Sequence, residues 1–520
     1  MTTFADIVKE LHITVTEDEK STCIADVALA DFSPICIRAF HTLHLPLDMM
    51  FATDERTTCE CYMLHAVFAI DSEQKFLIIR APIASAHPHF ESLTKNIVAA
   101  QWYERLIGDQ FGIVADGHPD WRRLVHHENI PARTYPMRKD FLCNTKLARA
   151  HESYPLHHVD GKGIYEIPVG PIHAGIIEPG HFRFNVRGER ILTLEGKLFF
   201  THKGVEKILE GKSPANAMPF IERVSGDMPI GHSIAFVEAV ERATKILLPS
   251  RAHYLRTFLN EFERVTMHIF DIGNIGGNGT GFTFMAAQGF RIVEKLRRIA
   301  VEFTGDRFLR GVIIPGGIKK DITNEELHKV VAELNVIEKD FQKTLDIAYA
   351  SDGLMERFET TGVLKKEAAL AYGAQGVAAR ASQVNRDARR DHPYAAYQHM
   401  TIHVASEPNG DVRSRVDVRV KELKESFDIM RAVVKHIPTS AIVTTLPAEA
   451  GSALGWAEAW RGAVLDWVRL DGQGNIDRCV IRDPSFCNWP LFGEIGPGNI
   501  VPDFPLCNKS LNLSYSGTDL

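Results

Sequence analysis

The chain has 520 residues, 45% hydrophobic and 24% charged, with a formal net charge of -7. That length exceeds what one core holds and predicts two or three domains, and the mild acidity offers no basic face for a nucleic-acid partner. No run approaches the roughly 18 apolar residues of a spanning helix, and residues 1–11 lack the apolar stretch of a secretory signal, so work at a membrane is expected only as a peripheral subunit.

Residues 1–145 read as a mixed α/β domain. Apolar alternation over 62–70 and 76–80 predicts strands, and 92–106 predicts a helix. The Pro- and charge-rich stretch 130–139 suits an extended arm, and 146–165 a linker. From 166 to 200 the alternation is strand-like, with turns at Gly170-Pro171 and Pro179-Gly180. Leu255, Phe258, Phe262, Val265 and Ile269 then make one apolar stripe at helical steps. Similar stripes over 285–310, 324–350, 364–381 and 415–436 predict a helical bundle, and 440–520 reads as short strands and loops. The fold class is therefore α+β: an α/β domain over 1–145 and a larger, mainly helical domain with small sheets over 166–520.

Eight cysteines, Cys23, Cys36, Cys59, Cys61, Cys143, Cys479, Cys487 and Cys507, are scattered with no C-x-x-C. They read as reduced thiols and supply no ligand run for a cubane iron–sulfur cluster. Cys59, Cys61 and His65 have the wrong spacing for zinc, and His126-His127 reads as solvent-exposed. The glycine-rich run 273–281 follows a helix and lacks the P-loop lysine, so it reads as a flexible turn. No NAD fingerprint occurs.

Trp102, Tyr103, Glu104, Arg105, Asp109, Phe111 and Gly112 lead into Gly117, His118, Pro119, Asp120, Arg122 and Arg123, then Arg138, Lys139, Asp140 and Phe141. This order resembles the 30 kDa protein family of complex I. Its residues read as a helix ending at Gly112 and a salt-bridged docking loop. Further on, His173, Glu178 to Phe184, Thr201 to Lys207, Glu222 to Ser233, Pro315 to Asp321, Arg389 to Tyr394, Gly410 to Arg415 and Glu458 to Gly462 follow one another. These stretches resemble the large subunit of group 4 nickel–iron hydrogenases of the formate-hydrogenlyase type, and the related 49 kDa protein of complex I.

The resemblance implies a nickel–iron centre on four thiolates in two C-x-x-C pairs. At those positions stand Ser225, Met228, Ser485 and Asn488, with Cys487 one place off register. A hydroxyl, a thioether and an amide do not replace thiolates, so hydrogen activation is not expected and no metal ligand is assigned. The complex I branch uses the vacated cavity for a quinone. The resemblance assigns the quinone-contacting histidine to His202, the proton-entry carboxylate to Glu178, and a cavity-facing arginine to Arg461, while the partner tyrosine falls at Gly226. A satisfied His202 beside Glu206 is the alternative. Asp227 either holds a proton in the pocket, if burial raises its pKa, or pairs with Arg223. His202, His232, Ser225 and Met228 are the expected cofactor-facing set. The tail 499–517 shows no cue for cleavage after metal insertion; its Asn and Ser side chains suit loop caps near the cavity.

Three functions follow. The first passes electrons from an iron–sulfur small subunit to a quinone-like acceptor. The second is a non-redox scaffold or a coupling subunit for membrane antiporter-like partners. The third, an active hydrogenase, the missing ligands oppose. The implied location is the cytoplasmic face of the inner membrane.

Overall fold

The computed structural model describes residues 3–174 and 177–520. Met1 and Thr2, within the stretch read for a signal, and Gly175 and Ile176, within the strand-like stretch 166–200, lie outside them. Among the described residues no helix is long and apolar enough to cross a membrane.

The N-terminal domain is built on a five-stranded sheet in the order Val15–Asp18, Thr22–Asp26, Lys75–Ala84, Cys61–Ile70, Leu47–Glu55. Cys61–Ile70 and Lys75–Ala84 pair antiparallel, with Ala66 opposite Ile79. Leu64, Ala66, Phe68, Leu77 and Ile79 are all buried, as near-continuous apolar strands should be when covered on both faces. The helix expected over 92–106 starts later, at Gln101, and ends at Phe111 on the left-handed Gly112. Its beginning is displaced because Ser92, Leu93 and Thr94 instead wrap the buried Glu104 carboxylate, donating to it at 2.6, 2.5 and 2.7 Å. Cys59 and Cys61 form a disulfide, against the expectation of reduced thiols. The left-handed Glu60 between them turns the chain and brings their Cα atoms to 5.2 Å. The other six cysteines are free.

The second region opens with an antiparallel sheet of Ile164–Val169, His181–Arg187 and Arg190–Lys197. The bundle follows: Ser250–Thr280, Thr283–Thr304, Asn324–Tyr349 and Val412–His436. The stripe Leu255, Phe258, Phe262, Val265, Ile269 is buried as its spacing predicts. The glycine-rich run is not a turn. It forms the last turns of Ser250–Thr280, where a Cβ on Gly273 would sit 3.1 Å from the Gly289 Cα and one on Gly277 2.3 Å from the Ala286 Cβ. Small residues there let the two helices cross in contact.

Residues 364–381 do not form one helix. They split into Lys366–Ala371 and Gly376–Arg380 around the left-handed Gly373 and Gly376. Gly376 has φ +58°, and a Cβ there would lie 1.9 Å from the Arg461 carbonyl oxygen. Gly376→Ala is expected to cost about 2–4 kcal/mol, read as a lower urea midpoint. Gly353→Ala, in a helix with open space at its Cβ, should leave the midpoint unchanged or slightly higher.

The tail also departs from short strands and loops. Gly451–Ala459, Gly462–Leu470 and Ile476–Arg482 form a three-stranded meander, followed by the short helices Pro484–Asn488, Phe492–Ile495, Phe504–Leu511 and Tyr515–Asp519. Their Gly, Pro and Asn residues serve as helix starts and caps: Pro484 opens one helix and the left-handed Asn512 ends another.

The two regions share a polar and aromatic interface. Arg386 forks onto Asp48 at 3.0 and 2.9 Å and also reaches Asp71, to which His392 donates at 2.9 Å. Tyr103 packs on Phe486, and Phe51 on Trp467. The ion-rich loop docks as its charges suggest: Arg122 reaches Glu195 and Lys139 reaches Asp477.

Buried charge runs through the bundle. Arg380 is wholly buried and donates to Glu422 at 2.7 Å and Glu458 at 2.8 Å. Arg389 forks onto Asp387 and reaches Glu261, which also takes Arg264. His268 donates to Glu422 at 2.7 Å. Burial, reinforced by Arg419 and Arg264 against the pull of Glu422, lowers the His268 pKa from 6.5 to about 4. The unfolded chain therefore takes up that proton first. Stability is full above about 6.5 and falls as the pH drops toward 4, by roughly 3 kcal/mol for this group. Urea unfolding at pH 7.5 and 4.5 checks this: His268→Gln, which keeps a donor for Glu422, should lose less stability between the two pH values than wild type.

Candidate functional site

At Ser225 and Ser485, two of the four positions that the resemblance gives to thiolates, the chain builds a hydroxyl, carboxylate and guanidinium network. Ser225 and Asp227 lie in the loop before the helix Pro229–Ala243; Arg461 lies in the tight turn between Gly451–Ala459 and Gly462–Leu470. Arg461 forks onto Asp227 with bonds of 2.8 and 2.7 Å, its Nε donates to the Asn512 carbonyl at 2.5 Å, and its plane lies 3.8 Å from the Trp460 ring centre. Ser225 Oγ donates to Asp227 at 2.8 Å and meets Ser514 Oγ at 2.9 Å. The Ser514 amide donates to Ser485 Oγ at 3.0 Å. Tail residue Ser514 thus links two of the four positions that the resemblance gives to thiolates.

Asp227 therefore pairs with Arg461, not with Arg223, which points outward and donates to the Pro219 carbonyl. Nor is its carboxyl a proton store. Burial pushes its pKa up, but the charge and hydrogen bonds of Arg461 and the Ser225 hydroxyl outweigh that and hold it below the usual carboxylate range. Although crowded by protein, 34% of its side chain remains open to the cleft beside it.

Nickel and iron do not fit this donor set. The Ser225 hydroxyl is engaged by Asp227 and Ser514. Met228 is fully buried in the core and is not among the residues lining the cleft. Asn488 is turned to the Gln375 backbone, accepting from its amide at 2.8 Å and donating to its carbonyl at 3.2 Å. Cys487 faces Tyr103 and Arg482. Among the described residues no group of three or more His, Cys, Asp or Glu side chains is arranged to hold a metal.

The cleft has a volume of about 410 Å³, within the range of small-molecule sites. Glu178, Ser225, Asp227 and Arg461 all line it, with Phe270 and Phe308 as apolar walls. Glu178 accepts from the Ser516 amide at 3.0 Å. His232 lies one layer beneath, wholly buried, donating to Asp483 at 3.0 Å. His202 does not line this cleft. It lines a smaller, mostly apolar cavity between the two domains, with Met49, Met50 and Phe199. Its Nδ1 bonds the Asp519 carbonyl at 2.5 Å. The residue as a whole is exposed, yet crowding by protein desolvates the ring and lowers its pKa. His126, expected at the surface, is buried near it, and that burial brings its pKa down to about 4.

Sequence reasoning missed Arg297, Lys509, Asn274 and Tyr515, which also line the cleft. Of these only the tail carried a signal, its Asn and Ser content. Glu263 was missed too: it accepts from the Ile230 and Gly231 amides at the start of Pro229–Ala243, and burial pushes it up to about 8.

Comparison with known proteins follows the same division of the chain. Residues 31–146 match the family model of the respiratory-chain NADH dehydrogenase 30 Kd subunit, and residues 279–449 that of the 49 Kd subunit. Residues 203–272 match the nickel-dependent hydrogenase model. The chain is similar to hydrogenase-4 component G of Escherichia coli, 32% identical over 91% of this chain and 83% of that protein. It is similar to formate hydrogenlyase subunit 5 of the same organism, 31% identical over 91% and 84%. Among solved structures, a chain of the membrane-bound sulfane sulfur reductase, an archaeal respiratory membrane complex, matches with a TM-score of 0.64 and 25% identity, over 70% of this chain and 100% of that one.

Proposed function

Because the chain belongs to the family of group 4 hydrogenase large subunits in which complex I 30 kDa-like and 49 kDa-like domains are fused, we propose that it serves as the large subunit of a membrane-associated oxidoreductase complex without nickel. In this reading it takes electrons from an iron–sulfur partner and passes them to a quinone-like acceptor in the Asp227–Arg461 cleft. Reducing a quinone to its quinol takes two electrons and two protons; the partner supplies the electrons, and water at the cleft mouth, beside Glu178, supplies the protons. His202 acts as a positioning residue, holding through Asp519 the tail that forms one cleft wall. The remaining partners are membrane antiporter-like subunits, with this chain on the cytoplasmic face of the inner membrane.

The observation that carries the reading is the cleft itself: an open space with aromatic walls and hydrogen-bond donors, beside the polar network of Ser225, Asp227, Arg461, Ser485 and Ser514. A Cβ on Gly226 meets nothing within 4 Å, so Gly226→Trp fills the cleft without disturbing the core. Reduction of a soluble quinone by the native complex should fall roughly tenfold or more, with an unchanged melting temperature. Unchanged reduction with a filled cleft would sink the reading.

A second reading, ion-translocation coupling without redox chemistry, rests on a different observation. From the cleft, Arg461 leads through Asn512 to Asp271, which takes Arg419 at 3.0 Å. Glu422, beside Arg419, continues through Arg380 to Glu458. Such a buried chain can carry a rearrangement between distant faces. An intact quinone reductase activity in Gly226→Trp, together with lost ion pumping in an Asp271→Asn complex, would favour it.

A further inference from the structure

Two cations on the cleft wall make no direct ion pair among the described residues. Arg297, on the helix Thr283–Thr304, and Lys509, on the helix Phe504–Leu511, both line the cleft. Neither makes a hydrogen bond or an ion pair among the described residues; Arg297 only stacks near Phe308, at 5.0 Å. Both are partly buried. Desolvation lowers the pKa of each; for Arg297 the charge of Arg307 adds to it while Glu294 and Asp227 oppose it, and for Lys509 Asp271 opposes it without overcoming it. The carboxylates nearby are already paired: Asp227 with Arg461, Asp271 with Arg419, and Glu294 with Arg298 and Arg307. Glu178, the remaining acid of the wall, accepts from the tail backbone. On the same wall the Tyr515 hydroxyl is buried, with the Asn508 amide beside it but no well-formed hydrogen bond among the described residues. Holding two unpaired cations and an idle phenol at a partly desolvated surface is costly. A ligand that brings an anionic group and an acceptor oxygen relieves that cost.

We infer that the cleft binds an anionic organic acceptor, whose negative group sits between Arg297 and Lys509 and whose ring oxygen takes the Tyr515 hydroxyl. The inference rests on the cleft being the acceptor site and adds the charge of the ligand.

The test uses the full native complex, oxidised and without reductant, and compares the Kd of 1,4-naphthoquinone-2-sulfonate with that of the neutral 1,4-naphthoquinone by calorimetry. The sulfonate should bind roughly tenfold tighter or more at low salt, and added salt should narrow the ratio. Arg297→Gln and Lys509→Gln should each bring the ratio toward one, while Arg298→Gln, exposed and paired with Glu294, should leave it in place. Equal affinity for the two quinones in the wild type would overturn the anionic preference and leave the cleft as an acceptor site. No binding of either would overturn both.

Discussion

Arg380→Ala is expected to destabilise the protein by about 4 kcal/mol, lowering both the urea midpoint and the melting temperature. The side chain is fully buried and stands between Glu422 and Glu458, with Asp387 3.6 Å away. Truncation leaves several carboxylates facing one another without water. Uncompensated buried charge, rather than the lost contacts, is the larger part of the cost. Arg380→Met combined with Glu458→Gln should therefore recover part of the loss, because the second change removes one of the stranded charges. If the double variant is no more stable than Arg380→Met alone, the stranded-charge explanation is wrong.

Arg461→Ala is expected to disable the site as well as weaken the fold. The fork to Asp227, the bond to the Asn512 carbonyl and the stacking on Trp460 all go at once. The stability loss should be smaller than for Arg380, about 2–3 kcal/mol, because Asp227 opens to the cleft and can turn to water. Acceptor reduction should fall by roughly a hundredfold, since Asp227, Ser225 and the tail lose their common anchor. Arg461→Lys should restore little, because one ammonium cannot make both bonds to a carboxylate and also lie flat on an indole. Steady-state kinetics on the native complex, beside calorimetry, separates the two effects. Recovery of activity in the lysine variant would show that charge alone matters.

Local patterns were readable where side-chain period and burial agree. Strands Cys61–Ile70 and Lys75–Ala84 and the stripe Leu255 to Ile269 follow directly from apolar spacing. The other faces of that long helix were not legible, because Glu261, Arg264, His268 and Asp271 are buried by partners more than a hundred residues along the chain: Arg389, the Ala459 carbonyl, Glu422 and Arg419. The same limit explains Asp227. Arg223 is its visible neighbour in sequence, whereas the true partner, Arg461, is 234 residues away. The run 273–281 misled for a related reason: glycine marks a turn when isolated, but here it marks the crossing of two helices. That Ser225, Met228, Ser485 and Asn488 stand at the positions the resemblance gives to thiolates was a reading of the sequence alone. That the tail would thread Ser514 between Ser225 and Ser485 was not, since no local pattern fixes where a short polar segment docks.

The most direct measurement is the nickel content of the complex purified from its native membrane, by elemental mass spectrometry against protein. With Ser225, Met228, Ser485 and Asn488 each committed to other contacts or to the core, the result should be iron from the partner's clusters and nickel far below one atom per complex. Stoichiometric nickel that survives dialysis against a chelator would contradict the account at its centre.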